Sequence, residues 1–158
     1  MSMRHRYGQQ AIIRGAVDSA TEIAMGDLVY LDTDDIKPAG SETWSTDLAN
    51  TQTNFVNHFL GIALADHPAG SGNMLDFPVD ISPFAVYEMD CNEETHELGD
   101  MLTPIKATGN ALVANKLKKT TSAAVACARC MRRDPTALGR VMVRLQSAYW
   151  GVNDATRQ

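Results

Sequence analysis

Aromatic residues are scarce: Phe, Trp and Tyr make up only 6% of the 158 residues. A core built from this chain must therefore rest on Val, Leu, Ile, Ala and Met, and a hydrophobic share of 44% is enough to build one. Long apolar runs are missing, and nothing approaches the roughly 20 residues that a membrane-spanning helix needs. The opening stretch MSMRHRYGQQAIIRG has no apolar segment of signal-peptide length, so synthesis and use in a cytoplasm, or release from one by lysis, is expected. Cysteine is limited to Cys91, Cys127 and Cys130, and an odd count in such a setting favours free thiols over a disulfide framework.

Recognisable catalytic patterns are also missing. There is no phosphate-binding or dinucleotide fingerprint, and Ser71 sits in Ala-Gly-Ser-Gly rather than in a hydrolase elbow. Cys127-Ala-Arg-Cys130 has the spacing of a redox or zinc pair. It lies in an Ala- and Val-rich stretch that reads as a strand, where residues three apart point to opposite faces, and no second pair completes a zinc site. These cysteines read as small apolar filler. His5, His58, His67 and His96 are scattered without ligand spacing. Asp32-Thr-Asp34-Asp35 clusters carboxylates but lacks the glycine and distal glutamate of a calcium loop, and reads as a solvated turn. No catalytic residue, metal or cofactor is expected, and the chain reads as a non-enzyme.

What is present is strand signal. In 74–81, Leu75, Phe77, Val79 and Ile81 alternate with Asp76, Pro78 and Asp80, which predicts a half-buried strand that Pro78 makes irregular or places at an edge. In 140–149, Val141, Val143 and Leu145 alternate with Met142, Arg144 and Gln146. In 60–65, Leu60, Ile62 and Leu64 alternate with Gly61, Ala63 and Ala65, the small face implying close packing of another layer. Further strands are expected at 27–31, 84–89, 100–105, 111–114 and 122–131. A single short helix is expected over 46–58, capped by Thr46, with Leu48, Phe55, Val56 and Phe59 near one face. Turn-rich segments separate these pieces, so the fold class is mainly β, a small barrel or sandwich.

An internal repeat underlies the pattern. Gly26-Asp27-Leu28-Val29 resembles Gly99-Asp100-Met101-Leu102, and Asp66-His67-Pro68 resembles Arg133-Asp134-Pro135. Each set flanks an Ala- and Gly-rich strand and feeds an alternating one. The expected organisation is an extended arm over 1–14, a single β-rich domain over 15–150 and a tail over 151–158.

Charge is segregated along the chain. Residues 1–14 carry three Arg and no acid, residues 15–101 carry seventeen acids against Lys37, and residues 102–150 carry nine bases against Asp134. Either the fold interleaves these segments, or it leaves faces of opposite sign suited to head-to-tail contact. Nucleic acid and membrane are not expected partners.

Gly-Asp-Leu-Val-Tyr, Phe-Leu-Gly-Ile-Ala-Leu-Ala-Asp, Gly-Asp-Met-Leu and the closing Val-Met-Val-Arg-Leu, taken in order from Met25 to Leu145, resemble the capsid cement or head-decoration proteins of tailed phages. The chain departs from that pattern at 40–58 and 86–98 and in its longer tails. The resemblance implies a virion structural protein, made in the host cytoplasm, that binds the major capsid protein on the outer capsid surface and associates with itself, a trimer being favoured. A barrel module of another virion part, such as the tail, and a metal- or thiol-dependent protein are the alternatives. Residues suited to capsid or self contact are Arg4, Arg6, Tyr7, Ile12, Ile13 and Arg14 in the arm, Trp44 in the polar loop SETWST, and Tyr149 and Trp150 after the last strand.

Overall fold

The computed structural model describes residues 3–150. Runs of β-branched and aliphatic residues between Gly-, Asp- and Pro-containing turns yield eleven strands among these residues, which bury their apolar faces by closing into barrels. In chain order they are β1 (Met3–Tyr7), β2 (Ile12–Val17), β3 (Leu28–Asp32), β4 (Asp35–Pro38), β5 (Phe59–Ala63), β6 (Met74–Asp80), β7 (Val86–His96), β8 (Met101–Lys106), β9 (Leu112–Thr120), β10 (Ala128–Cys130) and β11 (Asp134–Leu145), with α1 (Leu48–His58) between β4 and β5.

They close into two five-stranded barrels. The first runs β2-β4-β3-β5-β6 and returns to β2. The second runs β7-β11-β10-β8-β9, with β9 returning to β7, and β1 is laid along part of the remaining edge of β7. The mainly β class and the single helix agree with the sequence, and the architecture is barrel rather than sandwich.

The second barrel repeats the first, five strands later. Both contain one parallel pairing, Ala16 with Asp35 in the first and Asp90 with Lys116 in the second. Leu31 faces Ile36 as Pro104 faces Leu117, and Ala63 faces Val79 as Cys130 faces Val143. The Gly-Asp turns are chemically identical. Gly26 and Gly99 both have positive φ, and their N–H groups donate to Ala63 O and Cys130 O. Asp27 Oδ2 accepts from Ala24 N, and Asp100 Oδ2 accepts from Glu97 N. Even the Pro-containing turns coincide, since Ile23 bridges His67 as His96 pairs with Asp134.

This equivalence explains the Cys-x-x-Cys spacing. Cys130 occupies the place of Ala63, and Cys127 that of Leu60, all four buried. The pair is a variant of an apolar strand.

Interior residues follow the pleat. Val17, Val29, Ile36, Phe77, Val79 and Ile81 fill the first barrel. Met89, Cys91, Leu102, Leu117, Val141, Val143 and Leu145 fill the second, and this cluster continues through Phe55 and Phe59 to Leu28, Tyr30 and Ile62 on the outside of the first. The Leu28–Tyr30 part of β3 is thus buried on both faces. Helix α1 seals the junction: Phe55 packs edge-on to Tyr30, and Gln52 Nε2 donates to Pro104 O at 2.8 Å in the second barrel.

Several expectations need correction. The 122–131 strand is a 3-10 turn at Ala123–Val125 followed by β10, because the second repeat uses this short turn where the first inserts α1. Asp47, not Thr46, caps α1, its carboxylate accepting from Asn50 N. Leu75 points to solvent, 81% exposed. An extra residue in β6 between Met74 and Phe77 sets Met74 opposite Val17 and takes the start of β6 out of phase. Pro78 is flanked by β2 on one side and β5 on the other, so β6 is not an edge strand. Asp80, expected to face water, is fully buried. Most of the 86–98 segment, where the chain departs from the resembled pattern, is strand β7 of the second barrel. The segment expected as an arm is paired with the chain's own strands: β1 on β7, and Ile12, Ile13 and Arg14 in the first barrel. The expected tail over 151–158 lies outside the described residues.

Candidate functional site

Large apolar side chains gather at the surface where the barrels meet. Strand β1 ends at Tyr7, the chain crosses to Ile12 at the start of β2, and the inter-barrel linker 81–85 runs beside it. A Cβ added at Gly8 would lie 2.2 Å from Phe84 O, so the two segments touch backbone to backbone and only glycine fits there. Phe84 itself is 74% exposed, and Tyr7 and Ile12 are about half exposed. The C-terminal end of the described chain joins them. Trp150 Nε1 donates to Ile81 O at 2.6 Å, and Tyr149 stacks edge-on to Trp150 at 5.7 Å.

A buried polar cluster holds this surface rigid. Asp80 Oδ1 accepts from Ala11 N at 3.0 Å and Ser82 N at 2.9 Å, and its Oδ2 accepts from the Tyr87 hydroxyl. Gln10 Nε2 donates to the same hydroxyl at 2.9 Å. Ser82 Oγ donates to Gln9 O and accepts from Phe84 N and Ala85 N. A buried carboxylate is tolerated only when its oxygens are satisfied, and here both are. Burial, with the Asp80 carboxylate beside it, holds the Tyr87 phenol above its ordinary value. The β1–β2 loop, the linker and β7 are thereby tied at one point.

The structure thus brings together Tyr7, Ile12, Tyr149 and Trp150 of the sequence-predicted residues around the linker. Phe84 is the addition that sequence reasoning missed; it reads as a strand residue in FAVYEM, and only the Ser82-Pro83 turn before it signals a surface position. Ile13 is half-buried against the first core. Arg14 is exposed and donates to Asp76 O at 3.1 Å. Arg4 and Arg6 lie exposed on β1, Arg6 3.9 Å from Glu88. Trp44 is half-buried, with the Lys106 ammonium 5.2 Å above its ring, rather than a free anchor.

Charge is interleaved in one barrel and not in the other. Strand β7 and the turn after it bring acids against bases from later in the chain: Arg140 reaches Glu88 at 2.9 Å and Asp90 at 3.7 Å, and Arg133 reaches Glu97 at 2.8 Å. The first barrel, residues 12–81, has eleven acids and only Arg14 and Lys37 as bases. Its Asp32–Asp35 cluster is the β3–β4 turn, with Asp32 held by the Lys37 ammonium.

The thiols are buried. Burial pushes Cys127 up to about 12 and Cys91 up to about 11, far from the range of a reactive thiolate. Among the described residues no group of three or more His, Cys, Asp or Glu gathers as a metal site, and no helix is long and apolar enough to cross a membrane.

Fold and surface together define a tandem-barrel protein whose accessible chemistry lies on an apolar patch and in its charge distribution. No family model and no curated protein matches the chain. Among solved structures it is similar to the head fiber gp8.5 N base of bacteriophage phi29. That alignment covers 86% of this chain and 95% of the other, at a TM-score of 0.45 and 13% identity.

Proposed function

We propose that this chain is a non-enzymatic structural protein of a tailed-phage virion, which binds the major capsid protein on the outside of the head and stabilises the shell. Self-association, as a trimer, belongs to the same reading. The observation that carries it is the exposed patch of Tyr7, Ile12, Phe84, Tyr149 and Trp150. Clustered aromatics on a pre-ordered backbone are what protein interfaces use as anchors, because little ordering entropy remains to be lost on binding. The motif order from Met25 to Leu145 supports the same class.

The test is decoration of purified, expanded shells with the full chain, read by reconstruction of the particle. Wild-type protein is expected on the head lattice. The double variant Tyr7→Ala/Phe84→Ala is expected to bind roughly tenfold or more weakly, about 1.4 kcal/mol, with an unchanged thermal melt. Equal occupancy by the variant removes the patch from the argument, and density on the tail rather than the head selects the other virion module.

A further inference from the structure

Fold equivalence exposes a difference between the barrels that neither the patch nor the core explains. Pairing with β6 and β11 matches Ile12, Ile13, Arg14 and Gly15 to Val86, Tyr87, Glu88 and Met89. In the second barrel that stretch of β7 is covered on its far edge by β1. In the first barrel the corresponding edge of β2 meets β4 only at Ala16, and nothing among the described residues pairs with it before that point. The backbone there faces outward. Ile81 N donates to Ala11 O, which turns the odd-numbered residues of β2 toward β6 and leaves the peptide groups of Ile12 and Arg14 pointing away from it. An open strand edge of this kind is a template for another strand.

Strand β1 has an open edge too. It ends the sheet, with β7 on one side and, among the described residues, no strand on the other. It carries Arg4 and Arg6, while β2, although it carries Arg14 itself, belongs to the barrel with eleven acids and two bases.

We infer that the outer edge of β1 in one copy pairs with the Ile12–Gly15 edge of β2 in a second copy. The contact uses a different surface on each partner, so every copy offers one of each and the assembly grows head to tail until it closes as a ring. Backbone hydrogen bonds supply the register, and opposite charge steers the approach. The inference gives contact residues to the proposed self-association and is independent of capsid binding.

The experiment is sedimentation of the full-length protein over a concentration series, with residue-resolved amide exchange in the dissociated and assembled states. Ile12→Pro removes one outward N–H and no β6 ladder bond, so it is expected to keep the wild-type melt while weakening association roughly tenfold or more. In the wild type, the Ile12 and Arg14 amides and those on the outer edge of β1 are expected to slow on assembly, and association is expected to weaken as salt rises. Assembly that leaves these amides unprotected overturns the inference, as does Ile12→Pro assembling like wild type or a wild type that stays monomeric free and on shells. Assembly through these edges without shell binding leaves it standing and removes the capsid reading alone.

Discussion

The two barrels share strand order, register and turn chemistry, yet almost none of their outward residues. Positions facing the barrel interior exchange one apolar group for another: Ala63 for Cys130, Val79 for Val143, Ile36 for Leu117. Positions on the other face change character. Ile62 pairs with Asp80 in the first barrel, and the equivalent pair in the second is Arg129 with Arg144, like charges directly opposite. The first barrel keeps an acidic surface and an open edge, whereas the second interleaves its charges and has its edge covered. Closure and interior packing therefore constrain the repeat, and the outer faces are free to acquire separate contacts.

If the equivalence is physical, matched substitutions should have matched effects. Val79→Asp and Val143→Asp each bury an unpaired carboxylate, which costs several kcal/mol against a typical total of about 5–15. Both should fail to fold, judged by thermal melting. Arg144→Asp, one residue further along β11 and on the outer face, should fold and stay within about 0.5 kcal/mol of wild type or exceed it, because it replaces a like-charge pair with an ion pair. A Val143→Asp variant that melts like Arg144→Asp would refute the face assignment.

Next in size is a position where the barrels should differ. Gly61 and Ala128 are equivalent, but a Cβ on Gly61 would lie 2.0 Å from Asp80 O. Gly61→Ala should cost about 3 kcal/mol or more in denaturant titration, while the reverse change Ala128→Gly should cost about 1 kcal/mol. Equal costs would mean that β5 and β6 are not packed as described.

The Gly-Asp turns offer a finer contrast. Gly26 and Gly99 both sit at positive φ, but a Cβ at Gly26 would lie 2.8 Å from the Met3 Cβ and one at Gly99 meets nothing within 4 Å. Gly99→Ala should cost about 1–2 kcal/mol of backbone strain alone. Gly26→Ala should cost measurably more, and the excess should persist in a Met3→Ala background, which keeps the opposing Cβ, and vanish only with Met3→Gly.

A last contrast concerns Cys127, the counterpart of Leu60. Cys127→Ala should cost about 1–3 kcal/mol at neutral pH and leave assembly unchanged. Its raised thiol adds a pH signature. The unfolded chain ionises this group from about pH 9 while the folded chain keeps it protonated up to about 12. The stability it contributes is therefore complete below pH 9 and lost as pH rises through that interval. Alkaline melting curves of the variant should fall less steeply than those of wild type; parallel curves would show that Cys127 is not the group buried as a thiol.

The most regular strand, 140–146, could be read from sequence because its alternation reports one buried and one open face, and Val141, Val143 and Leu145 are buried as expected. Met142, on the supposedly open face, is buried too. The Gly-Asp and Pro-turn echoes revealed the repeat because they are local chemistry at fixed places in the fold. Strand β1 was not legible: Arg-His-Arg-Tyr has no apolar period, and what makes it a strand is β7, some eighty residues on. Asp80 misled for a similar reason, since the groups that satisfy it come from Ala11, Ser82 and Tyr87. Of the candidate contacts, exposed aromatics near chain ends could be found from composition and position. Their convergence with Phe84 could not, because it depends on how the linker crosses the β1–β2 loop.

The pairing of β1 with β7 also sets an order of events during synthesis. Met3–Tyr7 leaves the ribosome well before its partner: the whole first barrel and its helix must emerge before Val86 appears. The Asp80 carboxylate waits in the same way, although more briefly, for the Tyr87 hydroxyl. The nascent first barrel therefore spends its early life with an unpaired strand tethered to it and a buried acid not yet fully satisfied, so its final docking is timed by the arrival of the second barrel rather than by its own closure.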